Sequence, residues 1–249
     1  LIRKDKKNVS RVDVITALDT KIASIISDRF NLNPVIVRSG VDIDKFQNLP
    51  EKSKARQDLK LPIGKPIILV LTILNSWHRR TEDVINAHSR LANDSILLLV
   101  ATASRTGGYS KSIEDKINNS DSKERIVWYK SPIADENELL NYYAASDIFV
   151  FPNIEQTWGL AVIEAAGAKL PVIVSNGSGS HEVFNHGEEA LHFQGGDSID
   201  LKNKLASLID DENLRNHIRN NGHKMVKQRF SWNRYSMDML KIIKGAIKS

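Results

Sequence analysis

The stretch DIFVFPNIEQTWGLAVIEAAGAKLPVIVS, residues 147–175, decides how this chain is read. It opens on an unbroken apolar run, Ile148-Phe149-Val150-Phe151, as a strand covered on both faces requires. Pro152 and Asn153 end that run, a polar loop follows, and Leu160 to Ala168 is apolar with helical character. Pro171 to Val174 makes a second buried strand. A strand, a crossover helix and a further strand in so short a space form one unit of a doubly wound sheet.

Working outward, the same alternation repeats. Pro66 opens a strand over Ile67 to Leu74; a helix from Glu82 to Leu91, a strand from Ile96 to Val100 and a helix from Lys111 to Asn118 follow. Arg125 to Tyr129 is a strand and Glu136 to Ala145 a helix. Beyond the central stretch, Ala190 to Phe193 is a short strand, and Ile199 to Ile209, Glu212 to Phe230 and the residues from Ser231 onward are helical. The expected fold class is α/β, a Rossmann-like doubly wound parallel sheet. Residues 12–15 and 35–37 read as two short strands around a helix over 17–30, and the polar segment 44–64, with Pro50 and Pro62, reads as a linker. A strand–helix–strand piece of ~40 residues is well short of a domain. It reads as the tail of a preceding domain, and Leu1 in place of a methionine points the same way.

Composition sets outer limits. The chain has 249 residues, 41% apolar and 26% charged, enough for a real core. It has no run of 18 apolar residues and no basic-apolar-small leader, so neither a membrane span nor a secretory signal is expected. Zero cysteines exclude disulfides, thiolate zinc sites and a cysteine nucleophile, and fit a reducing compartment. A net charge of +5 suits anionic ligands without specifying nucleic acid.

Ligands of an open parallel sheet sit beyond the carboxyl ends of its strands. Four loops stand there: Asn75-Ser76-Trp77-His78-Arg79-Arg80, Thr106-Gly107-Gly108-Tyr109, Lys130-Ser131-Pro132 after Trp128-Tyr129, and Phe151 to Leu160. In the last, Gly159 and Leu160 present backbone N–H groups at a helix start, a natural phosphate cradle. Glu164 lies one turn in and leans back toward that start, so its carboxylate can accept hydrogen bonds from a diol such as a ribose. Gln156 would meet the other end of the same ligand, and Arg79 and Arg80 could neutralise a diphosphate from across the cleft. These parts describe a site for a nucleoside diphosphate carrying a hydroxylated group.

The run Glu155-Gln156-Thr157-Trp158-Gly159-Leu160-Ala161-Val162-Ile163-Glu164-Ala165, then Gly167 and Leu170-Pro171-Val172-Ile173-Val174-Ser175, resembles the signature of glycosyltransferase family 4, the group 1 glycosyltransferases. So do Ser39-Gly40-Val41-Asp42 with Phe46, and the closing Phe230-Ser231-Trp232. The resemblance covers nearly the whole chain, in order and spacing. It implies the GT-B fold, two Rossmann-like domains facing a cleft, with this chain as the C-terminal, donor-binding half. Residues 1–45 would then be a remnant of the N-terminal acceptor domain, 46–65 the interdomain linker, and 66–230 the nucleotide-sugar domain. Residues 231–249 would be a helix packing back toward the N-terminal domain.

The resemblance also implies retaining transfer of a hexose from a UDP- or GDP-sugar, with no cofactor and no bound metal. Its setting would be the cytoplasm or the inner face of the membrane. The acceptor, a sugar, lipid or polysaccharide, would be bound by the N-terminal domain, which would also carry any peripheral membrane contact; nucleic acid is not an implied partner. Residue by residue, Arg80 falls on the family's diphosphate-binding lysine, Gln156 on the first glutamate of its motif and Glu164 on the second, which binds ribose. The catalytic set is then Arg79, Arg80 and Gln156, and the donor-binding set Trp158, Gly159, Leu160, Glu164, Tyr129 and Lys130. Two departures stand out. Gln156 lacks the charge of a glutamate, and Thr72-Ile73 replaces the Gly-Arg pair that commonly ends the family's first strand, leaving Arg79 to supply a second cation.

Blander readings exist for each feature. Glu164 could be a structural carboxylate, Arg79 and Arg80 a solvated helix start, and Trp158 a core aromatic. His181-Glu182 with His186 has three residues between Glu and the second His, one too many for the zinc-protease motif. Asp42-Ile43-Asp44 is an acid pair expected to contact solvent, and Gly177-Ser178-Gly179 is a partial dinucleotide fingerprint expected to wall the sugar or phosphate. A non-catalytic nucleotide-sugar-binding module is the second functional reading. A nicotinamide-dependent dehydrogenase ranks below it, because no Gly-x-Gly-x-x-Gly follows the strand at 67–74.

Overall fold

The computed structural model describes residues 9, 11–103, 108–155 and 158–248. Six strands, β3 (Ile67–Leu74), β4 (Ile96–Ala103), β5 (Ile126–Tyr129), β6 (Ile148–Phe151), β7 (Val172–Ser175) and β8 (Leu191–Phe193), form one parallel sheet in the order β5-β4-β3-β6-β7-β8. Helices α3 (Thr81–Ser89), α4 (Gly108–Asn118), α5 (Glu136–Ala145), α6 (Leu160–Gly167), α7 (Ser198–Asp210) and α8 (Glu212–Arg229) connect and cover it. This is the doubly wound arrangement that the alternating pattern predicts.

The apolar runs explain why both faces are covered. Successive strand residues point to opposite faces. Ile67 and Leu69 therefore join Leu98, Phe149, Phe151 and Val172 in a core with Tyr143 of α5 and Val162 and Ile163 of α6. Ile68 and Val70 join Leu97, Leu99, Val150 and Ile173 in a second core with Val84 and Ile85 of α3 and Leu201 and Leu205 of α7.

At the N-terminal side, β1 (Thr16–Ala17) and β2 (Val35–Ile36) pair in a separate two-stranded parallel sheet around α1 (Thr20–Phe30). The strand expected over 12–15 lies later, at 16–17, and the helix expected from 17 begins at Thr20. Asp19 is the reason: its Oδ1 accepts the Ile22 N–H at 2.8 Å and caps the helix there.

The segment read as a linker is structured. It holds a 3₁₀ turn at Asp44–Phe46 and α2 (Lys52–Asp58). Arg56, on α2, is 4% exposed and donates to the carbonyls of Ala145 (2.9 Å), Lys65 (3.2 Å) and Ile63, and to Asp147 Oδ2 at 2.6 Å. Two distant segments also meet: Val41 N–H donates to Phe230 O at 2.8 Å, and a Cβ on Gly40 would fall 2.6 Å from the Ser231 carbonyl carbon. Gly40 and Phe230-Ser231-Trp232 are thus held together by a backbone approach that only glycine permits. The last helix, α9 (Trp232–Lys248), starts at this crossing.

His88 on α3 is fully buried, with its ring between Ser122 Oγ (3.0 Å) and Ser95 O (2.9 Å). Burial pushes its pKa down to about 4. The unfolded chain therefore binds a proton that the folded chain refuses between pH 6.5 and 4, and stability is lost as pH falls through that window. The expected loss is roughly 3 kcal/mol. Thermal midpoints across pH 7 to 4 should fall steeply, and less steeply in His88→Gln; equal slopes would contradict this.

Candidate functional site

From β3 the sheet grows to β4 on one side and to β6 on the other, so the crevice above their carboxyl ends is a topological switch point, where such sheets bind ligands. A cleft of about 500 Å³ opens there. Its walls include Thr72 and Ile73 of β3, Arg79, Thr102 of β4, Pro132 and Ile133 after β5, Asn153, and Trp158, Gly159, Leu160 and Glu164. Five of the residues singled out from sequence, Arg79, Trp158, Gly159, Leu160 and Glu164, therefore share one cavity. Arg80, Tyr129 and Lys130 are not on its walls. Gln156 lies outside the described residues, as do Thr106 and Gly107.

Gly159 is the N-cap of α6, in extended conformation and with no side chain to cap it; Val162 N–H bonds back to Gly159 O at 3.1 Å. Leu160 and Ala161 are the first residues of the helix, so their N–H groups carry the positive end of its dipole. Gly159 is required by contact: a Cβ there would sit 2.8 Å from Phe151 Cζ.

The two arginines part company. Arg79 reaches the cleft, with Nε donating to Asn75 Oδ1 at 3.1 Å. Burial lowers its pKa, yet an arginine stays charged at neutral pH. Arg80 has φ +50°, and its guanidinium is taken up by the first turn of α3. It holds Asp83 in a bidentate pair (Nε–Oδ2 and Nη2–Oδ1, both 2.8 Å) and reaches Glu82 Oε1 at 3.2 Å. The hydrogen bonds it donates to Asp83 raise its pKa. The start of α3 is also closed, because Thr81 N–H donates to Tyr109 OH at 2.9 Å while that hydroxyl donates to Glu82.

Glu164 is anchored as well as facing the cleft. Its Oε2 accepts from Tyr143 OH at 3.0 Å and its Oε1 from Lys45 Nζ at 3.1 Å. Burial of Lys45 pulls its pKa down, but Glu164 and Glu136 outweigh this and hold it above the ordinary lysine value. Sequence reading missed Lys45. Its only signal was its place beside Phe46, one of the residues carrying the family resemblance.

Trp158 is 6% exposed, its ring 5.1 Å from that of Phe230, so it is a core aromatic that also lines the cleft. Among the described residues its Nε1 and Thr72 Oγ1 have no hydrogen-bond partner. Tyr129 OH donates to Leu59 O at 2.8 Å, and Lys130 pairs with Glu114 at 2.5 Å and lies 4.4 Å from the Trp128 ring centre.

The glycine run at 177–179 owes its composition to packing. A Cβ on Gly177 would meet Ile154 Cγ2 at 2.8 Å, and one on Gly179 would meet Asp19 Oδ2 at 2.5 Å. Asp42 Oδ1 accepts from Asp44 N–H at 3.1 Å, closing a turn. The rings of His181 and His186 both pack against that of His192. Among the described residues no three His, Asp or Glu side chains converge as a metal site, and no helix is long and apolar enough to cross a membrane.

Comparison with known proteins places this cleft in context. The family profile of glycosyl transferases group 1 matches residues 51–225, well over half the chain. The capsular polysaccharide biosynthesis glycosyltransferase CapM of Staphylococcus aureus is 30% identical over 118 residues, 46% of this chain and 31% of its own length. The D-inositol 3-phosphate glycosyltransferase of Xylanimonas cellulosilytica is 22% identical over 218 residues, 86% of this chain and 51% of its own. The chain thus spans about half or less of the length of these curated relatives. Among solved structures, a glycosyltransferase from Rickettsia africae superposes with a TM-score of 0.85 at 23% identity, over 98% of this chain and 67% of that one. The chain belongs to the group 1 glycosyl transferases.

Proposed function

We propose that this chain is the donor-binding half of a retaining glycosyltransferase that moves a hexose from a UDP- or GDP-sugar to an acceptor hydroxyl. The observation that carries the reading is the glycine-led start of α6, sharing one cleft with Arg79 and Glu164. The diphosphate lies on the Leu160 and Ala161 N–H groups opposite Arg79. Glu164 accepts from the ribose hydroxyls, and the sugar extends toward Gln156. As the bond between the sugar anomeric carbon and the phosphate oxygen breaks, negative charge grows on that oxygen and is met by oriented N–H groups and guanidinium. These charges take the place of a metal. The acceptor oxygen bonds to the anomeric carbon on the same face, and its proton passes to the departing diphosphate. Arg80 supports the site indirectly, holding Asp83 and Glu82 at the start of α3.

A further support is that Anabaena HepE, solved in complex with UDP, shares the fold with a TM-score of 0.86 over 94% of this chain and 64% of its own, at 18% identity. In this reading residues 1–45 belong to the acceptor domain, 46–65 connect, 66–230 hold the donor, and α9 returns toward the acceptor domain. The acceptor and any membrane contact belong to that other domain. The cysteine-free sequence supports a cytoplasmic setting.

A second reading, a nucleotide-sugar-binding module without catalysis, is favoured by the amide of Gln156 at the family's glutamate position. Thermal-shift titrations with uridine, guanosine and adenosine diphosphates test the shared part. At 100 times the dissociation constant a ligand of the folded state stabilises by about 2.7 kcal/mol, and uridine or guanosine diphosphate should do so. No shift with any of the three contradicts both readings. Release of free hexose from the donor, followed over time, separates catalysis from binding.

A further inference from the structure

We infer that Lys45 is a positioning residue for the nucleotide, holding the Glu164 carboxylate from behind so that its open lone pairs face the ribose diol. This rests on the reading of the cleft given above and goes beyond it, because Lys45 lies outside the cleft and on the connection between the two sheets.

The geometry builds from the turn at Asp44–Phe46. Phe46 is buried, edge-on to Tyr143 at 5.8 Å between ring centres. It packs against α6 so closely that a Cβ on Gly167 would lie 3.1 Å from Phe46 Cδ2. Asp42 closes the turn on one side, and Gln47 N–H donates to Asp44 O at 3.0 Å on the other. The backbone of Lys45 is thereby fixed, and its ammonium reaches Glu164 Oε1 at 3.1 Å and Glu136 Oε1 at 3.4 Å.

Tyr143 takes the other Glu164 oxygen, so the carboxylate is gripped at both atoms. An ionised carboxylate offers about four lone-pair sites. Two are used here, leaving one on each oxygen, the arrangement two vicinal hydroxyls can meet. The side chains of Lys45 and Glu164 are only 15% and 19% exposed, so their attraction is little screened by water. Without Lys45, the carboxylate keeps only the tyrosine and can rotate about that single bond.

The test uses the whole chain and isothermal titration with uridine and guanosine diphosphates, then with the 2′,3′-dideoxy analogue of whichever binds. Wild type should prefer the ribose form about 10-fold or more, the value of a charge-assisted hydrogen bond. Lys45→Met should lose that preference by weakening the ribose form alone, and Lys45→Arg should restore it. A structural role would weaken both forms together, and that result overturns the inference. So does an unchanged preference in Lys45→Met. Wild type that binds neither diphosphate, or that binds without preferring ribose, overturns the assignment of Glu164 itself and this inference with it.

Discussion

Arg79→Ala is expected to weaken nucleoside diphosphate binding and to lower transfer by the full-length enzyme by on the order of 100-fold, the usual effect of removing one preorganised donor from a developing oxyanion. Arg79 is the guanidinium that lines the cleft, and its Nε is oriented by Asn75 at 3.1 Å. The same substitution at Arg80 should read out differently. Arg80 neutralises Asp83, whose side chain is 4% exposed, so Arg80→Ala leaves a buried carboxylate unpaired. The thermal midpoint should then fall. Titration with uridine diphosphate and melting curves on both variants separate the roles. Full affinity in Arg79→Ala would remove the cation from the proposed site.

Arg56→Ala should be strongly destabilising although it lies away from the cleft, at about 3 kcal/mol, because it removes several buried hydrogen bonds made by one charged group. The guanidinium ties α2 to the start of β6 through Asp147 and to the end of α5 at Ala145, and Asp147 Oδ2 also accepts the Ile67 N–H at 2.7 Å. Its loss would leave the carbonyls of Ala145, Ile63 and Lys65 without this donor, while Asp147 keeps Lys52 Nζ at 2.8 Å and the Ile67 N–H. Urea denaturation with a midpoint close to wild type would show that these contacts contribute little.

The strand bodies were legible because parallel strands buried on both faces are apolar throughout. Ile67–Leu74 and the helix Glu136–Ala145 were placed with the bounds the structure has. The helix start after Gly159 was legible from a glycine before an apolar helix. What could not be read were contacts set by distant residues. Asp19 moves the start of α1 because its carboxylate finds the Ile22 N–H. The polar composition of 44–64 concealed α2, whose anchor, Arg56, looks like a surface charge until its partners around residues 63, 65, 145 and 147 are brought together. Gly177 and Gly179 look like a phosphate loop, yet what needs them small is Ile154 and Asp19. The pairing of Arg80 with Asp83 and Glu82 could not be read either, nor could its left-handed backbone.

The most direct test of the central claim is a crystal structure of the chain grown with uridine diphosphate or guanosine diphosphate. The account predicts the diphosphate within hydrogen-bond distance of the Leu160 and Ala161 N–H groups and of Arg79, with the ribose hydroxyls on Glu164. A nucleotide bound in another crevice while this corner stays vacant would contradict it.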